Sequence, residues 1–185
     1  MPGPDFESIK LQTENVYKTL VELANQLGFS EDQIDDVRTA LLGDEPLYRI
    51  RGLKESLIEG RYALAYQLYS MHKYAEAEEL FRWLCIYNAP YPPNWMALGA
   101  CRQARGKFQE AMDAYQLAAI YGTLQDPAPF YYCGVCSIKL GQHDAAIAAL
   151  EAAICIADPE NLEHKTIADR AKVLLAAHTD GEEKD

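Results

Sequence analysis

Small and large apolar residues recur along the middle of the chain in an order that repeats three times. In each unit, a small residue is followed twelve positions later by a second small residue, and four positions after that by a large apolar one. The first small residues are Ala65, Gly99 and Gly134, the second are Ala77, Ala111 and Ala146, and the large residues are Phe81, Tyr115 and Leu150. The interval between equivalent positions is 34 residues from the first unit to the second and 35 from the second to the third. We therefore predict that the extra residue lies in the loop 123–126.

This pattern predicts a pair of helices in each unit. The small residues let two helices cross closely, while Gly106 and Gly141 supply the positive φ that ends the first helix of a pair. A 34-residue period is that of the tetratricopeptide repeat, whose Trp-x-x-Leu-Gly and Ala-x-x-x-Phe pattern is matched between Trp95 and Tyr115. We predict an all-α fold in which residues 58–158 form three tetratricopeptide repeats in a right-handed superhelix, because one unit alone cannot bury its apolar face. The repeats span about 58–91, 92–126 and 127–158. An irregular helical bundle is the alternative.

Helical patterns also flank the repeats, in an N-terminal region 1–57 and a C-terminal region 159–185. Residues 6–27 have a helical period of apolar positions, at Ile9, Val16, Leu20, Leu23 and Leu27. Ser30 with Gln33 resembles a capping box for a helix to about Leu42, residues 43–46 break it, and residues 47–57 predict a further helical piece. We expect this region to contain N-terminal helices with a possible role in dimerisation.

The C-terminal region predicts a capping helix followed by a charged, solvated tail. Asp158 is predicted to be the N-cap and Pro159 the first helical residue. Over residues 160–178, the apolar positions expected to point inward are Leu162, Ile167, Ala171, Leu174 and Leu175. A stack of repeats needs such a cap to cover its last apolar face.

The first helix of each repeat lines the concave side of this fold, so its inward positions predict a peptide-binding groove. The candidate groove residues are Tyr62, Tyr66, Tyr69, Met96, Ala100, Gln103, Tyr131, Val135 and Ile138. Tyrosines spaced four and three apart share one face of a helix and suit a binding surface, although packing against the N-terminal helices is an alternative. Only Gln103 and Lys139 are polar candidates in the later repeats, which does not fit a site that clamps a carboxylate tail. An extended apolar segment is therefore the expected ligand.

Charge and composition narrow the possible partners. Apolar residues make up 49% of the chain, a globular value, and the formal net charge is -11. Because an acidic chain repels phosphate backbones, we expect no nucleic-acid partner. The start of the sequence shows no signal-peptide pattern and no stretch is apolar enough to span a membrane, so we expect a cytoplasmic protein without membrane insertion.

The residues that could carry catalysis are scattered. We predict that Cys133 and Cys136 are helix-packing thiols, with a redox or metal role as the alternative. His72 and His143 fall at turns, and we interpret the acidic run Glu76, Glu78 and Glu79 as a solvated helix face. No phosphate loop or metal motif is present, so we predict a protein without cofactor, metal or catalytic site, and not an enzyme.

One run of residues goes beyond a general tetratricopeptide repeat. The run Leu98-Gly99-Ala100-Cys101-Arg102-Gln103, with Lys73-Tyr74-x-x-Ala77 and Phe81, Leu84 and Cys85 upstream, resembles the translocator (class II) chaperones of bacterial type III secretion systems. The resemblance covers about residues 58–158. It implies a cytoplasmic chaperone that binds an extended segment of hydrophobic translocator proteins in its concave groove and keeps them soluble and apart before secretion. It also implies a homodimer formed through N-terminal helices, although the longer N-terminal region here departs from the family pattern. A general scaffold or adaptor for protein–protein interaction is the alternative.

Overall fold

The regular structure throughout the described residues is helical. The computed structural model describes residues 18–19, 21–42 and 46–179. Residues 18–19 and 21–26 belong to a first helix, α1. The helices that follow are α2 (Glu31–Leu42), α3 (Leu47–Ile50), α4 (Glu55–Ser70), α5 (Tyr74–Tyr87), α6 (Pro92–Ala104), α7 (Phe108–Tyr121), α8 (Pro127–Lys139), α9 (His143–Ile156) and α10 (Leu162–Thr179). The predicted all-α class is confirmed.

Six of these helices form the three predicted repeats, as the pairs α4–α5, α6–α7 and α8–α9. The small residues lie where the two helices of a pair cross. A Cβ atom added to Gly99 would be 2.5 Å from the Tyr115 ring, and one added to Gly134 would be 2.8 Å from Leu150. The repeating small-then-large pattern therefore predicted these crossings correctly, since only glycine permits this separation.

The turn inside each repeat has the same backbone form. Gly106 and Gly141 have φ values of +76° and +70°, and His72 takes the equivalent place in the first repeat with φ 60°. In each turn the next amide donates to a carbonyl five residues back, as Lys107 N does to Arg102 O at 2.9 Å. This six-to-one bond closes a helix after a left-handed residue. The first repeat therefore places a non-glycine residue where the others use glycine.

The loops between repeats differ by the one residue expected from the spacing. Residues 88–91 join the first two repeats, and residues 122–126 join the second and third. The longer loop places Thr123 and Leu124 at φ 58° and 59°. Asp126 then caps α8, because its Oδ1 accepts from Ala128 N at 2.9 Å.

The N-terminal region agrees in part with its predicted helices. Ser30 N donates to Gln33 Oε1 at 2.7 Å at the start of α2, as the capping box predicts. Leu23 is buried in the same apolar cluster as the first repeat. The piece expected over 47–57 is instead the short helix α3, a turn, and the first residues of α4, which begins at Glu55. The predicted positions Ile9, Val16 and Leu20 and the break at 43–45 lie outside the described residues.

The start of the C-terminal helix was predicted wrongly. Asp158 and Pro159 enter a turn, and Asn161 is the residue whose Oδ1 accepts from Glu163 N at 2.9 Å. Leu162 is therefore the first residue of α10 and is 78% exposed rather than inward. Further along, Ala171 is buried and Leu174 and Leu175 pack beside it, as expected of a capping helix. The helix starts later than predicted because the Asn161 side chain accepts from two backbone amides of the first turn, Glu163 N and His164 N.

Candidate peptide-binding groove

A cavity of about 630 Å³ lies along the first helices of the repeats. Its walls come from α4 and α6, with parts of α5, α7 and α8 at the base and far end. The lining residues are Tyr62, Tyr66, Tyr69, Phe81, Pro92, Pro93, Met96, Ala97, Ala100, Gln103, Ala104, Phe108, Tyr115, Asp126 and Tyr132. Six of the nine predicted groove residues are therefore brought together here.

The first wall is a stripe of three tyrosines on α4. Tyr62 packs edge-to-face on Phe81, with ring centroids 5.8 Å apart, and Tyr69 does so on Tyr74 at 5.2 Å. Burial, with smaller contributions from neighbouring groups, raises the pKa of Tyr62 and of Tyr69, so both hydroxyls stay protonated and can donate. Tyr66 between them is 60% exposed. Two anchored rings thus flank one that is free to contact a ligand.

The second wall is made of short side chains on α6. Met96, Ala100 and Gln103 all face the cavity, as predicted. Gln103 Oε1 accepts a hydrogen bond of 2.7 Å from the Tyr115 hydroxyl. This bond fixes the orientation of the amide and leaves its NH₂ group able to donate to a ligand. Small alanines beside a fixed amide leave room for an extended chain and a donor for one of its carbonyls.

The third repeat contributes differently from the prediction. Tyr131, Val135 and Ile138 do not line this cavity. Tyr131 and Ile138 pack instead on the cluster of Leu150, Ala153 and Ala171 near the C-terminal helix. Whether these three residues bind a ligand stays a prediction.

The residue of α8 that does reach the cavity is Tyr132. Its ring stacks on Tyr115 with centroids 5.3 Å apart. The predicted residue is its neighbour Tyr131, because the prediction rested on positions within a single repeat. The face of α8 that borders the cavity is instead the one turned toward the second repeat.

The described lining of the cavity is mainly apolar and carries no positive charge. Among the described residues that line it, Asp126 alone is charged. Tyr62 also borders a second cavity of about 460 Å³ shared with Tyr48 of α3 and Ile58. Tyr62 therefore lies in both of the places that the sequence left open, in the candidate groove and beside the N-terminal region.

The interpretation of the acidic run as a solvated face is wrong for Glu78. This side chain is 2% exposed and is enclosed by cations from the second repeat. Arg105 donates to its Oε2, Lys107 Nζ lies 3.3 Å from its Oε1, and Arg102 Nε lies 3.5 Å from the same oxygen. Arg102 also donates to the Glu110 carbonyl at 2.9 Å. We call Glu78, Arg102, Arg105 and Lys107 the charged junction.

The charged junction keeps its carboxylate ionised. Burial alone would raise the pKa of Glu78, but the hydrogen bond from Arg105 and the charges of Lys107, Arg105 and Arg102 outweigh it, and the pKa lies below its ordinary value. The partners of Glu78 lie 24 to 29 residues away in sequence, which is why the pattern of the acidic run alone could not find them.

The other candidate chemistry predicted from the sequence is a pair of thiols on α8. Cys133 and Cys136 are buried within α8, and burial first of all raises the pKa of Cys133 to about 12 and that of Cys136 to about 11. Thiols held protonated in this way pack as small apolar groups. Within the described ranges, His, Cys, Asp and Glu side chains form no group of three or more that could hold a metal ion. None of the helices in those ranges combines the length and apolar character that a membrane crossing needs.

Comparisons with known proteins agree on one family. The tetratricopeptide repeat family model matches residues 58–89 and 94–123. Chaperone protein SicA of Salmonella typhimurium is 31% identical over 116 residues, which cover 62% of this chain and 70% of SicA.

Two solved structures are similar in fold. PcrH of Pseudomonas aeruginosa in complex with the chaperone-binding region of PopD matches with a TM-score of 0.66 and 29% identity, over 71% of this chain and 97% of PcrH. The Yersinia enterocolitica chaperone SycD, in complex with a peptide of the translocator YopD, matches with a TM-score of 0.65 and 26% identity, over 70% of this chain and 97% of SycD. The three repeats, the Leu98–Gln103 run and these relatives together show that the chain belongs to the class II translocator chaperones of bacterial type III secretion systems.

Proposed function

We propose that this chain is a cytoplasmic, non-enzymatic chaperone that holds an extended segment of a hydrophobic translocator protein in the groove described above. The observation that carries the proposal is the cavity of about 630 Å³ whose described lining is aromatic and aliphatic apart from Gln103 and Asp126, and contains no cation. PcrH and SycD, which share the fold, are bound to PopD and to a peptide of YopD in their solved structures. By this analogy the groove keeps a translocator soluble and apart from its partners before secretion.

The physical basis is burial of apolar anchors in a preformed site. A translocator segment exposed to water would aggregate, and each anchor side chain fully buried in the groove contributes about 1.5–3 kcal/mol before the costs of association. Tyr66, the exposed ring of the α4 stripe, can close over such an anchor. No nucleotide is required, so release would follow from competition for the bound segment.

We also propose that the chain forms a homodimer. SycD crystallises as a dimer in more than one arrangement. Leu57 and Leu64 lie seven residues apart on α4, Met71 follows at the same interval as the C-cap of that helix, and all three are exposed large apolar residues that suit pairing with a second copy. Light scattering of the wild type and of Leu64→Glu tests this proposal, and an unchanged mass for the variant contradicts it.

The chaperone proposal is tested by co-expression with proteins encoded beside its gene that contain long hydrophobic segments. We expect one of them to become soluble and to co-purify with the wild-type chain, and Tyr66→Ala and Tyr69→Ala to weaken that complex. Val173→Ala, at an exposed residue of α10 outside the groove, is the matched control. Tyr131→Ala tests whether the third repeat takes part.

The outcomes distinguish a translocator chaperone from a general scaffold. If no neighbouring protein is bound or made soluble, the chaperone function is wrong and a general scaffold remains. If a complex forms but tolerates Tyr66→Ala and Tyr69→Ala, the groove is not where the segment binds.

A further inference from the structure

The charged junction ties the first repeat to the turn of the second. Glu78 belongs to α5, whereas Arg105 and Lys107 flank Gly106 in the turn between α6 and α7. Three cations converge on one carboxylate that is 2% exposed, so their directions as well as their charges are fixed. The turn is therefore anchored to α5 by directional bonds in addition to apolar packing.

The residues on either side of that turn line the groove. Gln103 and Ala104 line the cavity immediately before the turn, and Phe108 lines it immediately after. On the other side of the junction, Phe81 lies about one helical turn after Glu78 and lines the same cavity. A displacement of the turn relative to α5 would move these side chains and change the width of the groove.

The next junction shows that the fold does not require these charges. Met112 occupies in α7 the place of Glu78 in α5, and Ser137, Leu140 and Gln142 occupy the places of the three cations. Here the link is a weak hydrogen bond of 3.6 Å from the Ser137 hydroxyl to the Met112 sulfur. We call these four residues the neutral junction. Repeats can thus stack without ion pairs at the equivalent positions.

We propose that Glu78, through Arg102, Arg105 and Lys107, is a positioning residue that sets the width of the peptide groove for its ligand; this rests on the proposed function. The carboxylate touches no ligand and acts through the turn. Buried ion pairs contribute little net stability compared with apolar residues of similar size, but their bonds restrict geometry. A groove held at one width spares a ligand the cost of ordering it, and that saving appears as affinity.

The test replaces the charged junction with the neutral one. The variant carries Glu78→Met, Arg102→Ser, Arg105→Leu and Lys107→Gln, and Glu79→Gln is the control because Glu79 is an exposed neighbour with its own ion pair to Arg82. The probe is a fluorescent peptide of the translocator segment that resists proteolysis in the co-purified complex. We expect unchanged helical circular dichroism and a midpoint of thermal unfolding close to that of the wild type. We also expect about tenfold weaker peptide binding, from the lost preorganisation.

A second measurement needs no ligand. Spin labels at Gln67→Cys on α4 and Gln109→Cys on α7, in a Cys155→Ser background, report the distance across the junction, since the other four cysteines are buried. We expect a narrow distance distribution with the charged junction and a broader one with the neutral replacement. If the replacement does not fold, Arg105→Leu with Lys107→Gln takes its place, because both side chains are one-third exposed.

Peptide affinity and spin-label distances test the positioning role of Glu78 separately from the chaperone function. Equal peptide affinity, or equal distance distributions, for the wild type and the folded replacement overturns the positioning role of Glu78. If the wild type co-purifies with no translocator while the distance distribution still broadens in the replacement, the proposed function fails and Glu78 sets the geometry of a groove with another ligand.

Discussion

The two junctions between repeats solve the same packing problem with opposite chemistry. At the first, a buried carboxylate meets three cations, and at the second, Met112 meets Ser137 and apolar neighbours. Both bring a second helix of one repeat against the turn of the next. The repeat pattern therefore dictates which positions meet but not what holds them, so each junction is free to be rigid or compliant.

The contrast also explains where the groove is most defined. Its two main walls, α4 and α6, lie on either side of the charged junction, whereas α8 contributes Tyr132 across the neutral one. A ligand therefore meets a pair of walls linked by ion pairs and a third repeat that is held at its junction by weaker contacts, including the Ser137–Met112 hydrogen bond.

The largest effect is expected from breaking the charged junction without replacing it. Glu78→Gln leaves three cations around a neutral amide, and we expect it to lower the free energy of unfolding by about 3 kcal/mol, as loss of one partner of a buried pair does. Glu79→Gln, in an exposed pair, should change it by less than about 1 kcal/mol. Urea denaturation measures both, and equal values for the two variants would show that burial of Glu78 is unimportant.

The close helix crossings of the second and third repeats should differ in tolerance. Gly99→Ala places a methyl group 2.5 Å from the rigid ring of Tyr115, and we expect a loss of about 2 kcal/mol. Gly134→Ala meets the flexible Leu150 side chain at 2.8 Å, so about 1 kcal/mol is expected. Thermal unfolding of the two variants decides the order, and the reverse order would contradict this account of the crossings.

The turns that adjoin the junctions provide a smaller contrast. Gly106→Ala forces a side chain into a left-handed conformation with φ +76°, which should cost about 1 kcal/mol. His72→Gly in the first repeat relieves the same strain and should gain less than about 1 kcal/mol, because it also removes the 2.6 Å hydrogen bond between the ring and the Tyr74 hydroxyl. Chemical denaturation of both variants checks the signs, and a destabilised His72→Gly would show that the hydrogen bond outweighs the strain.

The smallest expected effect is on the stability of the fold at low pH. The pKa of Glu78 is lower in the folded chain than in the unfolded chain, so its contribution to stability is present above the unfolded pKa and is lost as the pH falls through the folded pKa. The groups that face it are Arg102, Arg105 and Lys107, with Glu110 at the rim. As the pH falls through the folded pKa, the wild type should lose stability relative to the four-residue replacement, as measured by unfolding at a series of pH values. A constant difference would mean that the carboxylate does not titrate with unfolding.

The predictability of this fold from sequence follows the range of the interactions involved. The 34-residue interval identified the repeats, the close helix crossings and the two turns that contain glycine. Each of these depends on steric rules between residues of fixed spacing. Asp158 was mistaken for the cap of α10 because Asn161 can perform the same role three residues later. Such choices between equivalent local signals depend on packing of the whole helix.

The site shows the same division. The tyrosine stripe and the α6 residues follow from the helical period within single repeats. Tyr132 and the burial of Glu78 do not, because they depend on how one repeat is placed against the next. A carboxylate surrounded by acidic neighbours in sequence has the pattern of a surface residue, and only the chain 24 to 29 residues later reveals its partners.

The position of the charged junction near the start of the repeats has a consequence for synthesis. A stack of repeats folds as neighbouring units with an interface energy between them, and units nearer the N-terminus leave the ribosome first. Every member of the charged junction precedes the third repeat in the chain, so this link can close before α8 and α9 have packed against the second repeat. The tyrosine stripe of α4 and the short side chains of α6 would then face each other at their final separation in the nascent chain. The neutral junction would form afterwards.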